Sequence, residues 1–168
     1  MRRILLLCLI ISFSSCKSAR QAKIITKKSE TSKTVEASDE NPVASNIVDY
    51  AQQFEGVRYK YGGTTKKGMD CSGLIFTSYK SENILLPRTT TDLSKTGDWI
   101  DLKEVKKGDL LFFATRKNSR KVNHVGIVTD VINDDVAFIH ASTSNGVITS
   151  RLKERYWYYA FVQARRVL

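Results

Sequence analysis

The chain has no long apolar run, few cysteines, only two histidines and no internal repeat. Its longest apolar run, Ile4 to Phe13, is about ten residues, against the ~20 that a membrane-spanning helix needs. Three cysteines, Cys8, Cys16 and Cys71, are too few for a disulfide framework. Structural zinc draws on closely spaced pairs of Cys or His, and Cys71, His124 and His140 form no such pair, so no metal is expected. A stretch from Lys17 to about Asn41 has no aromatic residue and no sustained apolar period, which excludes a packed core there.

What is present fits one ordinary domain: 168 residues, 42% hydrophobic and 26% charged, enough for a single core and a single active site. Lys and Arg exceed Asp and Glu by 27 to 17, a net charge of +10, which favours an acidic partner such as nucleic acid, anionic lipid or a carboxylate-rich peptide. The N-terminus narrows the choice. Met1, Arg2 and Arg3 precede the apolar run, and Ser14, Ser15 and Cys16 close it, the pattern of a secretory signal peptide. A small residue directly before Cys16 resembles the lipobox of bacterial lipoproteins, with Phe13 where an aliphatic residue is usual. Cleavage of residues 1–15 would leave a lipidated Cys16 in an exported, lipid-anchored protein, on the periplasmic side of the outer membrane if the cell is Gram-negative. Cys71 is then the one thiol without lipid, and an unpaired cysteine in an exported protein points to catalysis. Export also argues against nucleic acid as the partner, and the basic residues form no nucleic-acid-reading motif.

Residues 16–42 read as a tether, about 25 flexible residues with a root-mean-square span of roughly 25–30 Å. The domain is expected over 43–168. Val43, Ile47, Tyr50, Ala51 and Phe54 recur at helical spacing, predicting a helix over 43–55 that ends at Gly56. A second helix is predicted from Cys71 to about Ser81, with Asp70 as N-cap and Leu74, Ile75 and Tyr79 inward. Pro87 to Trp99 reads as a loop with one helical turn. Strands are predicted at 109–114, 124–132, 136–142, 146–150 and 159–167, with turn clusters at Asn133-Asp134-Asp135 and Ser144-Asn145-Gly146. Helices first and strands after predict an α+β fold, helices packed on a five- to six-stranded antiparallel sheet.

Cys71 at the first position of a helix is where a nucleophile belongs, because backbone N–H groups and the helix dipole favour a thiolate. Asp70 beside it acts in the opposite direction, so an imidazole partner is needed. If the strands on either side of the Asn133 turn pair, His124 and His140 fall on neighbouring strands, and one can take the thiol proton while the other orients it.

Six motifs in one order carry a resemblance: Tyr59-x-Tyr61-Gly62-Gly63, Asp70-Cys71-Ser72-Gly73-Leu74-Ile75, Leu86-Pro87-Arg88-Thr89, Gly108-Asp109-Leu110-Leu111-Phe112-Phe113, His124-Val125-Gly126-Ile127 and Ile139-His140-Ala141-Ser142. Over residues 43–168 the chain resembles the NlpC family of papain-like peptidoglycan endopeptidases. The resemblance implies hydrolysis of the bond between γ-D-glutamate and a diamino acid, commonly diaminopimelate, in the stem peptide. It implies Cys71 as nucleophile, His124 as base, His140 as the orienting residue and Tyr59 beside the oxyanion site, with Asp70, Ser72 and Arg88 lining the site and no cofactor. The partner it implies is the peptidoglycan stem peptide; the lipobox-like segment adds the lipid bilayer through Cys16, and a monomer is expected. An acyltransferase or amidase using the same acyl-enzyme, and a non-catalytic wall-binding lipoprotein, remain alternatives.

Overall fold

The computed structural model describes residues 41–168; the signal segment 1–15, Cys16 and the tether up to residue 40 lie outside the described residues. Asn41 and Pro42 start the first helix. The Asn41 side chain accepts from the Val43 N–H at 3.0 Å, and Pro42 has no N–H to satisfy. The helix, α1 (Pro42–Gln52), buries Ala44, Ile47, Val48 and Ala51, one stripe at three- and four-residue spacing. A two-stranded hairpin, β1 (Thr64–Thr65) and β2 (Gly68–Met69), leads into α2 (Cys71–Lys80). Leu74, Ile75 and Tyr79 of α2 are fully buried, and the Tyr79 hydroxyl donates to the Gly108 carbonyl at 2.5 Å. A one-turn helix, α3 (Thr90–Leu93), occupies the segment predicted as a loop with a helical turn.

The remaining strands are β3 (Asp98–Ile100), β4 (Leu110–Phe113), β5 (His124–Ile132), β6 (Asp135–Ser142), β7 (Gly146–Arg151) and β8 (Phe161–Arg166). They form one six-stranded antiparallel sheet in the order β3-β8-β4-β5-β6-β7, so the fold is α+β as expected. Side-chain alternation gives the sheet two apolar faces. Leu110, Phe112, Val125, Ile127, Ile139 and Ala141 pack with α1 and α2. Leu111, Phe113, Val128, Phe138 and Ala164 face the other way, where Val105, Leu152, Trp157 and Ala160 cover them.

Two elements differ from expectation. Residues 159–160, predicted as the start of the last strand, belong to a helix, α4 (Arg155–Ala160). Trp157 and Ala160, three apart, share the buried side, and that spacing suits a helix rather than a strand. Strand β3 carries no apolar alternation, since Asp98 and Trp99 are exposed, and it exists by pairing with β8, Asp98 opposite Arg166. That edge is tied to β4 by a two-pronged ion pair: Arg166 donates to the buried Asp109 carboxylate from Nε at 2.9 Å and Nη2 at 2.7 Å.

Candidate active site

Cys71 is the first residue of α2, and Asp70 caps it as the sequence predicts, with Oδ1 accepting from the Gly73 N–H at 2.7 Å. The same buried carboxylate accepts from the Gly62 N–H at 2.6 Å and the Ser72 hydroxyl at 3.3 Å. Arg88 completes the cluster, 2.9 Å from Asp70 Oδ1, while donating to Ser72 Oγ at 2.7 Å and to the Gly63 carbonyl at 3.3 Å. Gly73 is required here, because a Cβ would collide with the Gly63 carbonyl. Asp70, Ser72 and Arg88, expected along the site, thus sit one layer behind it and are not among the residues lining the cleft. Tyr59 does line it, held by a bridge to Met69.

Burial wins over the helix terminus in setting the Cys71 thiol. A helix N-terminus contributes about 0.3–1 kcal/mol to an exposed anion, less than the 1.36 kcal/mol of one pKa unit. Burial of the sulfur, with a smaller push from Asp70, raises its pKa despite donation from Thr90 and from the Val125 and Ser72 backbones. Thr90 Oγ1 is 3.6 Å from the sulfur. Burial thus favours the neutral thiol over the thiolate. The Val125 N–H aimed at it places the sulfur beside the first residues of β5.

His124 opens β5 and His140 lies on β6, on the face opposite the helices. Gly126 intervenes without a side chain; a Cβ there would press on the Phe138 ring and come within 3.2 Å of His140 Cβ. The imidazoles meet, His124 Nε2 to His140 Nδ1 at 3.0 Å, and His140 Nε2 lies 3.0 Å from Ser150 Oγ. Burial pushes both imidazoles well below the ordinary histidine value, and their mutual repulsion lowers His140 further. Only one arrangement of protons leaves a base for the thiol. His124 donates from Nε2 to His140 Nδ1, His140 donates from Nε2 to Ser150, and His124 Nδ1 keeps its lone pair.

Two members of this site are not legible in the sequence. Ser150 ends the relay from β7, and Trp157 of α4 stacks on His124 at 5.5 Å and 23° while its ring stands edge-on to His140 at 4.6 Å. Three-residue spacing of Trp157 and Ala160 is the one signal that could have found the second; Ser150 has none, because its role depends on register with His140. Cys71, His124, Ser150, Tyr59 and Trp157 all border one cleft of about 610 Å³. Such an arrangement can deprotonate a thiol for attack on a carbonyl and return the proton to a leaving group. Among the described residues no cluster of three or more His, Cys, Asp or Glu could hold a metal.

Residues 56–166 match the model of the NlpC/P60 family. Murein DD-endopeptidase MepS/murein LD-carboxypeptidase of Escherichia coli (strain K12) is 40% identical over 127 residues, 75% of this chain and 64% of that protein. A γ-D-glutamyl-L-lysine dipeptidyl-peptidase of Bacillus cereus (strain ATCC 10987 / NRS 248) is 37% identical over 86 residues, 51% of this chain and 26% of that protein. The chain therefore spans less than two thirds of the length of these relatives. Among solved structures, an NlpC/P60 family protein from Bacillus cereus ATCC 10987 superposes with a TM-score of 0.69 at 32% identity, over 77% of this chain and 41% of that one.

Because the folded histidines take up protons below the usual 6.5, the unfolded chain binds those protons first as pH falls. Their contribution to stability is full above 6.5 and is lost as pH drops toward about 4 for His124 and about 3 for His140. Urea unfolding at pH 7, 6 and 5 should show this loss, and His140→Asn should flatten part of it; equal slopes for the two proteins would contradict the burial argument.

Proposed function

Since the chain belongs to the NlpC/P60 family, we propose that it is a peptidoglycan endopeptidase whose nucleophile is Cys71. The observation that carries the reading is the 3.0 Å contact of His124 Nε2 with His140 Nδ1, which leaves the Nδ1 of His124 to serve a thiol in the same cleft. His124 takes the Cys71 proton and the sulfur attacks the amide carbonyl. The Gly73 N–H is committed to Asp70, so the Cys71 N–H and the Tyr59 hydroxyl are the donors for the oxyanion. Burial raises the pKa of Tyr59, which keeps its proton available to donate at neutral pH. His124 then protonates the departing amine, and water releases the acyl group from sulfur.

The bond cut is that between γ-D-glutamate and the diamino acid, consistent with the name of the Bacillus relative. A second reading, cleavage between D-configured residues of cross-linked peptides, is favoured by the name and the 40% identity of the Escherichia relative. Acyl transfer differs from both in product mass, adding an amine where hydrolysis adds water. Cys16 is proposed as the lipid attachment point, holding the enzyme at the membrane face next to its polymer.

Purified full chain should convert muropeptides to products heavier by one water per cut, and Cys71→Ala should abolish this; mass spectra separate the two bonds, and unaltered muropeptides with the wild type would sink the reading. Ser150→Ala should lower kcat about tenfold, about 1.4 kcal/mol, with little change in KM and partial rescue by Ser150→Thr. A fall confined to KM would instead place Ser150 in substrate binding. For the anchor, radiolabelled palmitate should be incorporated into the wild type and not into Cys16→Ser; equal incorporation would exclude Cys16.

A further inference from the structure

The brace of Asp70, Ser72 and Arg88 lies behind the cleft, yet it fixes more than the start of α2. Arg88 grips the residues on either side of Cys71, lying 2.9 Å from Asp70 Oδ1 and donating to Ser72 Oγ at 2.7 Å. Two residues further on the chain enters α3. A helix of four residues has almost no stability of its own, so its position is set by what holds its ends. Thr89 caps it, with Oγ1 accepting from the Asp92 N–H at 3.2 Å and donating to Asp92 Oδ2 at 2.6 Å. Leu93 is fully buried, and Gln163 of β8 donates to the Ser94 carbonyl at 2.7 Å. Between these anchors stands the half-buried Thr90.

Thr90 Oγ1 lies 3.6 Å from Cys71 Sγ, and among the described residues this hydroxyl makes no other hydrogen bond. Beside a neutral thiol either atom can donate; beside a thiolate only the hydroxyl can. The contact therefore strengthens as the sulfur loses its proton, because a hydrogen bond to an ionised acceptor is roughly twice as strong as a neutral one. No other side chain around the sulfur can fill this place. Asp70 is an anion that opposes a thiolate, and Arg88 is committed to Asp70, Ser72 and Gly63. His124 takes the proton, and Tyr59 serves the oxyanion. The Val125 and Ser72 backbones donate to the sulfur as well, so Thr90 adds a third direction.

Resting on the reading of Cys71 as nucleophile, we propose that Thr90 is a further catalytic residue, the side-chain donor to the Cys71 thiolate, and that Arg88 is the positioning residue that sets it against the sulfur. When the thiol proton passes to His124 Nδ1, Thr90 keeps its own proton and turns it to the charged sulfur. Attack on the carbonyl carbon makes the sulfur part of a neutral thioester, a weak acceptor, and the contact relaxes. When water displaces the acyl group, the thiolate leaves with its electron pair. Thr90 donates to it again until His124 returns a proton.

The test needs no peptide. The full chain carrying Cys8→Ser and Cys16→Ser keeps Cys71 as its one thiol, and its alkylation by iodoacetamide is followed by mass across neutral and alkaline pH. Thr90→Val, close to the same shape, should raise the midpoint of that profile by about one unit and slow alkylation at neutral pH about tenfold. The alkaline plateau and the thermal midpoint should not change, and Thr90→Ser should restore the profile. An unshifted midpoint, a downward shift, which would make the hydroxyl only an acceptor from the thiol, or a loss at every pH that Thr90→Ser does not restore would overturn the role of Thr90. Arg88→Lys, which keeps the charge beside Asp70, should shift the midpoint upward in the wild type and add nothing to Thr90→Val; additive shifts would overturn the positioning role. The expected shifts in a protein whose wild type cuts no muropeptide would sink the peptidase reading alone, whereas cleavage with an unshifted midpoint would sink the Thr90 role alone.

Discussion

The Asp70 carboxylate holds together parts of the chain that would otherwise be independent. It caps α2 through Gly73, fixes the preceding loop through Gly62, and engages Ser72 and Arg88 from two further directions. A carboxylate buried to this depth is tolerated only when its lone pairs are used and a cation is close, and here both hold. The result is a first helical turn with almost no freedom, on which the direction of the Cys71 side chain depends. Asp70 also disfavours a thiolate beside it, so rigidity is obtained at some expense of nucleophile acidity.

That expense is met by geometry rather than by charge. Thiol and imidazoles come from opposite sides of the sheet: Cys71 packs with the helical layer, while His124 and His140 share the face covered by Trp157. They meet where the start of α2 abuts the start of β5. Burial disfavours the charged form of each group, pushing the Cys71 thiol up and both imidazoles down. In the proposed mechanism the contacts of His140 with His124 and Ser150 hold the base in the tautomer that leaves its Nδ1 lone pair free.

The cleft also explains why a small α+β domain needs a helix as short as α4. Its inward Trp157 is the wall against which His124 lies, and its outward Tyr156 and Tyr159 stay exposed. One turn and a half of helix thus backs the layer that holds His124 and His140.

By itself the sequence determined the elements and their chemistry. Apolar spacing marked α1 and α2, Asp70 announced the cap that puts Cys71 at a helix start, and turn residues marked the hairpin that makes His124 and His140 neighbours. These are local properties, set by backbone propensity and by side chains a few residues apart. What only the tertiary structure decided was long-range. The exposed strand β3 exists because β8 offers it an edge, and Ser150, opposite Phe138 in the register of β7 on β6, reaches His140 diagonally on the same face. Asp70, Ser72 and Arg88 form a brace instead of a pocket wall because Arg88 folds back over the helix start. Burial, which no local pattern records, reversed the expected effect of the helix terminus on the thiol.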